Sequence, residues 1–218
     1  MFRSKPEQPP QYKTYPDTKS IELPEPKYTG IVLEEALKKR RSSRNYSKKN
    51  LSLAQLSQLV FSAQGATGKS YNTLLRTAPS AGALYPFEVY IIANLVDGLP
   101  RGIYHYSVRK HSLELVKKGD FRKSITKAGL KQEMLGDAGV VFVLTSIFDR
   151  LLHKYGERGY RYAYMESGHI SQNIYLQATS LGLGSAVVGA FLDEEINKLI
   201  GIDGQKEAAI YIHAVGAL

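Results

Sequence analysis

The most apolar run in this 218-residue chain is Val140–Ile147, VVFVLTSI. Apolar side chains follow one another here instead of alternating with polar ones, which is typical of a strand buried on both faces. Such a strand lies inside a sheet that is covered on both sides. The pattern therefore predicts a mixed α+β domain around a central sheet. The apolar stretch from 138 to 148 is too short to span a bilayer, and we expect no membrane partner.

Apolar periodicity and turn residues predict the other elements. A capping box between Ser52 and Gln55 begins a helix that ends at Gly65. The longest predicted helix is Gly159–Leu181, and a glycine-rich turn follows it over Gly182–Gly189. The remaining predicted helices are Ile31–Arg41, Asp120–Gly129 and Asp193–Ile200, and the remaining predicted strands are Phe87–Ala93, Gly102–Tyr106, Ser112–Val116 and Ala208–Val215.

The N-terminal region differs in composition from the rest of the chain. Six of the nine prolines lie in the first 26 residues, in a polar stretch without periodicity. We interpret residues 1–28 as an extended arm outside the core, either wrapped over a neighbouring surface or disordered, and residues 29–218 as the folded domain. The arm has no apolar signal segment, and the chain contains no cysteine. Both observations favour a soluble cytoplasmic protein, and the second excludes thiol nucleophiles and thiolate metal sites.

Basic residues outnumber acidic ones by 29 to 20, which favours anionic partners. Seven of them lie between 38 and 49, where there is no acidic residue. This clustering indicates a local anion site more than a DNA-binding face, and the usual nucleic-acid motifs are missing. A basic nucleic-acid-binding protein without a cofactor remains the non-enzyme alternative.

Two motif-like segments fail on closer inspection. The segment Gly65–Ser70 resembles the end of a P-loop, but it lacks the first glycine and follows a helix instead of a strand. Glu166 and His169 have the spacing of half a di-iron motif without a second copy, so we predict no metal site. We interpret them as a polar pair packed on the long helix, with His169 against the sheet.

Three segments have both a structural and a functional interpretation. The cluster Arg40–Arg44 is either a set of solvated cations at a helix C-terminus or a phosphate clamp. The segment Pro79–Pro86 is either a proline-bounded turn or a place where the backbone approaches a flat ligand. Ser185–Phe191 is either a plain turn or a wall of backbone N–H groups.

Five segments in a fixed order then carry a family resemblance: RRSSRNY (Arg40–Tyr46), PSAGALYPFEVY (Pro79–Tyr90), GIYHY (Gly102–Tyr106), RYAYMESGHISQNIYLQATSLGLG (Arg161–Gly184) and VVGAF (Val187–Phe191). From about residue 28 to its C-terminus, the chain resembles the nitroreductase superfamily and, within it, the SagB-type oxidoreductases. The resemblance implies an FMN enzyme with a central, mostly antiparallel sheet flanked by helices. It also implies an intertwined homodimer with two flavins at the subunit interface.

The resemblance assigns cofactor-binding roles to three groups of residues. The predicted phosphate and ribityl anchors are Arg40, Arg41, Ser42 and Arg44. The residues predicted to line the isoalloxazine of the other subunit are Pro79, Ser80, Ala83 and Leu84. Those predicted to pack on the flavin and offer a backbone N–H towards N5 are Val188 and Gly189. The chain departs from many family members because it has no basic residue after Lys206.

A further pair, Lys154 and Tyr155, matches the Lys-Tyr pair of azoline-oxidising SagB-type enzymes. Either side chain could act as the base that removes a ring proton while hydride leaves to flavin N5. The alternative is a solvated lysine beside a packing tyrosine. The leading hypothesis is therefore a SagB-type dehydrogenase that acts on a small molecule or a modified peptide. The alternative enzyme is a general nitro or quinone reductase to which NAD(P)H binds transiently.

Overall fold

The apolar run Val140–Ile147 forms an interior strand of the sheet, as predicted. The computed structural model describes residues 9–71 and 73–218. Its strands are β1 (Ser20–Glu22), β2 (Ala66–Ser70), β3 (Thr73–Arg76), β4 (Phe87–Ala93), β5 (Gly102–Ser107), β6 (Ser112–Lys118), β7 (Val140–Ile147), β8 (Leu183–Val188) and β9 (Glu207–Ala217). Its helices are α1 (Leu33–Lys39), α2 (Leu53–Gln64), α3 (Arg122–Ala128), α4 (Met134–Asp137), α5 (Asp149–Tyr155), α6 (Arg158–Ser180) and α7 (Asp193–Ile200).

Seven strands form one sheet in the order β1-β6-β5-β4-β7-β9-β8, and every pairing in it is antiparallel. Side chains alternate between the two faces of β7. Val140, Phe142 and Leu144 belong to one buried cluster, whereas Val141 and Val143 belong to another. The first cluster includes residues of α2 and α6, and the second includes residues of α3, α4 and α7. The fold is thus an α+β sheet flanked by helices on both faces, as expected.

The glycine-rich turn predicted over Gly182–Gly189 is wrong, because these residues include strand β8. Gly182 turns the chain with φ of 69°. Gly184 lies within the strand, where a larger residue would not fit. A Cβ there would lie 2.6 Å from a methyl of Leu218 and 3.1 Å from the Ser43 side chain. Glycine is present in the strand because the segment after α1 approaches it closely.

Other local features also differ from the predictions. The helix expected from Asp120 begins at Arg122, with Phe121 at its N-cap, although the Asp120 carboxylate accepts a bond from the Arg122 amide at 3.1 Å. The hairpin of β2 and β3 and the short helix α5 were not predicted. By contrast, the capping box of Ser52 and Gln55 forms as expected.

The described part of the N-terminal arm, residues 9–28, is not wholly outside the core, contrary to the interpretation of residues 1–28. Of its described part, Ser20–Glu22 pairs with β6 at one edge of the sheet, and Leu23 is buried in the first cluster. The prolines flank this short strand and do not interrupt it, which is where an edge strand tolerates them. The arm therefore completes the sheet. No helix among the described residues is both long and apolar enough to cross a membrane.

Candidate functional site

The basic segment that follows α1 lies along the edge strand β8. Ser42 and Ser185 form a parallel bridge, and the Ser43 amide donates to the Ser185 carbonyl at 2.8 Å. From α6, the Tyr175 hydroxyl lies 2.9 Å from the Ser42 hydroxyl and accepts a bond from the Val187 amide at 3.1 Å. These bonds place the predicted phosphate anchors beside β8 and near its C-terminal end.

The arginines of this segment differ in what they contact. The Arg40 guanidinium lies 5.1 Å from the centre of the Tyr175 ring, a cation–π distance. Arg41 donates to the carbonyls of Lys38 and Arg40, so its side chain caps the end of α1 as the structural interpretation predicts. Arg44 is exposed. Within the described part of the chain, no carboxylate pairs with Arg40, Arg41 or Arg44, which leaves their positive charge available to an anion.

Two further predicted residues lie where β8 ends. The Val188 side chain is buried in the second cluster, and Gly189 is exposed. Tyr175 links this end of β8 to Ser42 through the Val187 amide. The His213 ring packs at a tilt against the Tyr175 ring, with the ring centroids 4.5 Å apart. Its Nδ1 is hydrogen-bonded to the Ser171 hydroxyl at 2.8 Å. Burial lowers the pKa of His213 to about 3, so this histidine is neutral and adds no charge.

The segment Pro79–Leu84 forms a tight turn at another place in the fold. Gly82 has φ of 61° and Ala83 has φ of 53°, a conformation that favours glycine. A Cβ on Gly82 would lie 2.6 Å from the Tyr155 hydroxyl and 2.9 Å from the Lys154 amine. The structure therefore brings Lys154 and Tyr155 directly against the turn that the resemblance assigns to the flavin.

Lys154 and Tyr155 are the last two residues of helix α5, which was not predicted and which precedes the long helix α6. The Lys154 amine is 5.3 Å from the centre of the Tyr155 ring. The Tyr155 ring packs edge-on against Tyr162 of α6, with centroids 5.0 Å apart. Lys154 is exposed and Tyr155 half-buried, so the amine can reach a bound molecule while the ring stays fixed.

The predicted residues thus form two groups within one chain. Arg40, Ser42 and Gly189 lie near β8, whereas Lys154 and Tyr155 lie near Gly82. Among the described residues, no hydrogen bond or ring contact joins the two groups. Helix α6 contacts both, through Tyr175 and Tyr162 respectively. With a rise of about 1.5 Å per residue, these two tyrosines are about 20 Å apart along the helix.

A buried network of charged residues was missed in the sequence. His105 lies between Glu88 at 2.8 Å and Glu114 at 3.0 Å, and Arg150 pairs with Glu88 at 2.7 Å. Burial opposes the charge of His105, but the two carboxylates outweigh it and raise its pKa. Burial likewise opposes the charge of Glu88, but His105 and the two arginines Arg150 and Arg76 lower its pKa to about 2. The signal available was a charged residue inside each apolar strand, Glu88 in β4 and His105 in β5.

Glu166 and His169 do not form the packed pair that their spacing predicts. Glu166 is 2% exposed, whereas His169 is exposed and does not pack against the sheet. The two positions lie three residues apart at the boundary between the buried and the exposed face of α6. Among the described residues, no group of three or more possible ligands is arranged to hold a metal ion.

Comparison with known proteins gives one consistent result. The family described as "Nitroreductase family" matches residues 37–217. A Methanocaldococcus jannaschii protein named as a nitroreductase, MJ1384, is 40% identical over 92% of this chain and 97% of its own. The microcin B17-processing protein McbC of Escherichia coli is 30% identical over 79% of this chain and 65% of its own. A solved structure described as a nitroreductase from Anabaena variabilis has a TM-score of 0.81 and 30% identity, and it covers 100% of this chain and 45% of that one.

Proposed function

Because the chain belongs to the nitroreductase family and is an oxidoreductase, we propose that it binds FMN and exchanges hydride with N5 of that flavin. The family generally binds FMN. One observation carries the proposal for this chain: Arg40 and Arg44 are cations without carboxylate partners among the described residues, on a segment bonded to β8. A phosphate with its two negative charges fits such a place.

The residues present fit FMN at both groups of the site. Arg40, Arg44 and the Ser42 hydroxyl would hold the phosphate, while Arg41 would contribute through its charge beside α1. Gly189, exposed at the end of β8, would offer its backbone N–H, beside Val188. Pro79, Ser80, Ala83 and Leu84 would line the flat ring. When bound, FMN supplies two-electron redox chemistry, and the protein supplies the anion site and the orientation.

Within the family, we assign the chain to the SagB-type dehydrogenases that oxidise azoline rings in a modified peptide or a related small molecule. Such an oxidation removes a hydride, which passes to the flavin, and a ring proton, which needs a base. Lys154 or Tyr155 is the candidate base, because both contact the turn at Gly82. The similarity to McbC, a protein that processes microcin B17, supports a peptide substrate.

A homodimer would unite the two groups, with Pro79–Leu84 of one subunit lining the flavin held by Arg40 of the other. Two observations support this arrangement. Among the described residues of one chain, no hydrogen bond or ring contact joins the two groups, and α6 presents Tyr160, Tyr164 and Met165 to solvent, between 42% and 57% exposed. Apolar side chains exposed along one helix are typical of a surface that is covered in an assembly.

The alternative function is a general NAD(P)H-dependent nitro or quinone reductase. The 40% identity to a protein named as a nitroreductase favours it. In that case NAD(P)H and the acceptor would visit the flavin in turn, and Lys154 and Tyr155 would have no proton to remove.

The test begins with the visible spectrum of the purified protein and identification of the flavin released by denaturation. Released FMN supports the proposal, and a colourless protein that takes up no added FMN refutes it. The loaded protein is then mixed anaerobically with a thiazoline-containing peptide and, separately, with NAD(P)H. Flavin bleaching by the peptide that is lost in Lys154→Met and Tyr155→Phe supports the dehydrogenase. Bleaching by NAD(P)H alone, at wild-type rates in both variants, supports the reductase.

A further inference from the structure

Arg150 is a buried arginine to which none of the predicted roles applies. It is the second residue of α5, and its side chain is 2% exposed. Each of its guanidinium nitrogens has a different acceptor. Nε donates to the Pro10 carbonyl at 2.8 Å, Nη1 donates to the Tyr85 carbonyl at 3.0 Å, and Nη2 pairs with the Glu88 carboxylate at 2.7 Å. Because the guanidinium holds its donors in a rigid planar fork, these bonds fix both its position and its orientation.

The acceptors of Arg150 belong to three different segments. Pro10 lies in the N-terminal arm, Glu88 lies in β4, and Tyr85 directly follows the turn Pro79–Leu84. The ion pair with Glu88 joins two side chains that are 2% and 5% exposed, so water competes little for it. The bonds therefore attach the beginning of α5 to the arm, to the sheet and to the end of the turn.

The backbone of the turn and of the residue that follows it needs support from its surroundings. Gly82, Ala83 and Tyr85 have φ of 61°, 53° and 46°. This left-handed region disfavours alanine and tyrosine, so neighbouring groups must hold them in it. The Tyr85 amide donates to the Ser80 hydroxyl at 2.9 Å, and the Tyr85 carbonyl accepts from Arg150. Arg150 thus helps to hold Tyr85 in this conformation from its carbonyl side.

The other end of α5 meets the same turn. Lys154 and Tyr155 lie one turn of helix beyond Arg150, about 6 Å along the helix axis. A Cβ on Gly82 would lie 2.6 Å from the Tyr155 hydroxyl and 2.9 Å from the Lys154 amine. The helix therefore meets this part of the chain at two points, through hydrogen bonds at its beginning and through packing at its end. The bonds at the beginning determine where the packed side chains stand relative to the turn.

We infer that Arg150 is a positioning residue of the proposed site, because its fork fixes α5 against the turn and so sets the place of Lys154 and Tyr155. The consequence for catalysis rests on the proposed function, whereas the attachment of α5 does not. A base must stand within hydrogen-bond reach of the proton that it removes, and a displacement of about 1 Å can slow a reaction about a hundredfold. Lysine cannot replace Arg150, because its ammonium donates from one nitrogen and cannot meet acceptors that the fork meets with three.

The first test measures the attachment of α5 and needs no flavin. We expect amide hydrogen exchange in full-length Arg150→Lys, followed by mass spectrometry, to be about tenfold faster than in the wild type over both the turn and α5. The matched control is Arg101→Lys. Arg101 likewise donates to a backbone carbonyl, that of Asn94 at 3.0 Å, and pairs with a carboxylate, Asp120 at 3.1 Å. The control leaves both segments unchanged. Faster exchange of only one segment in Arg150→Lys, or of neither, overturns the inference.

If Arg150→Lys does not fold, exchange in the wild type decides the result. Native-state exchange in low concentrations of urea gives the free energy of opening at two amides. The Tyr85 amide is bonded to the Ser80 hydroxyl beside the turn, and the Leu152 amide is bonded to the Phe148 carbonyl in α5. Equal free energies of opening support the inference, because segments that are fixed to each other open as one unit. Unequal values contradict it.

The second test separates positioning from a general loosening of the FMN-loaded enzyme. We expect Arg150→Lys to slow flavin bleaching by saturating thiazoline-containing peptide about tenfold to a hundredfold, with the half-saturating peptide concentration unchanged. Bleaching by NAD(P)H requires no base and keeps its wild-type rate. Equal slowing with peptide and NAD(P)H overturns the positioning role, as does a wild-type rate with the peptide. If the peptide does not bleach the wild type, the proposed dehydrogenase function fails, while hydrogen exchange still tests the attachment of α5.

Discussion

Arginines without carboxylate partners give the sharpest expectation for a single site. Replacing Arg40 and Arg44 together by alanine removes two charge-assisted bonds worth about 1.5–3 kcal/mol each, so FMN affinity falls about a hundredfold or more, with roughly 1.4 kcal/mol per factor of ten. Titration of apoprotein with FMN, followed by flavin fluorescence, measures this. Lys48→Ala with Lys49→Ala is the matched control, because these exposed cations lie in the same segment. Equal losses in the two double variants would mean that net charge, and not the clamp, attracts the cofactor.

His105 is the centre of the buried charge network, 1% exposed between two carboxylates. We expect His105→Asn to lower the free energy of unfolding by about 3–5 kcal/mol, because two buried carboxylates lose their shared partner. Urea unfolding monitored by circular dichroism measures the change, and His169→Asn, at an exposed position, is the control.

The pH dependence of the stability lost in His105→Asn follows from the pKa shifts of His105 and Glu88. The raised pKa of His105 means that its stabilisation is present at low pH and is lost as pH rises through that pKa. Glu88, with its pKa lowered to about 2, stabilises above its ordinary pKa and loses that contribution as pH falls towards 2. The penalty of His105→Asn therefore shrinks at alkaline pH. A penalty that is constant from pH 6 to alkaline conditions contradicts a charged His105.

At the scale of the elements, side-chain contacts as well as the pairing of β1 hold the N-terminal arm against the sheet. Lys13 pairs with Glu207 of β9 and donates to the Tyr90 hydroxyl at 2.7 Å. Arg150 donates to the Pro10 carbonyl at 2.8 Å, and the Tyr15 amide donates to Glu114 at 3.2 Å. The arm thus covers the charge network and satisfies parts of it.

We expect Lys13→Met to lower the free energy of unfolding by about 1–3 kcal/mol. Glu207 loses a charged partner, and water cannot fully replace that partner because the site is only partly exposed. Burial opposes the charge of Lys13, but Glu207 outweighs it and raises the pKa. The contribution is therefore present at neutral pH and is lost as pH rises through the raised pKa. Limited proteolysis of the arm and urea unfolding check this, with Lys19→Met, exposed on the same arm, as control. Equal proteolysis of both variants would contradict the proposal that the Lys13–Glu207 ion pair holds the arm.

The elements also show how far the sequence reaches. Strands β4 and β7 and helix α7 have the predicted bounds, because local periodicity determines them. Strand β8 was missed since its glycine reflects a contact with Ser43, a residue far away in sequence. The candidate site residues were predicted from the family resemblance. The contact of Gly82 with Lys154 and the absence of a hydrogen-bond partner for the Glu166 carboxyl group among the described residues depend on tertiary packing, which no local sequence pattern contains.

At the scale of the whole molecule, the exposed face of α6 predicts an assembly. Met165→Glu introduces a charge at a 56% exposed position, so the subunit stays folded while the helix face can no longer be buried against a copy. We expect monomers with much less bound FMN, measured by sedimentation velocity and the flavin spectrum. Leu130→Glu, at a 50% exposed position near α3, is the matched control, and we expect it to keep both the dimer and its bound FMN. A Met165→Glu dimer with full flavin would move the interface elsewhere.

The ion pair between Lys13 and Glu207 joins residues 194 positions apart. During synthesis, Lys13 leaves the ribosome long before Glu207, the carboxylate with which it pairs. Until Glu207 has been made, Lys13 lacks this charged partner, so the native contacts of the arm are incomplete. Pairing of the arm with β9 therefore follows synthesis of Glu207 and belongs to the late, long-range contacts of this fold.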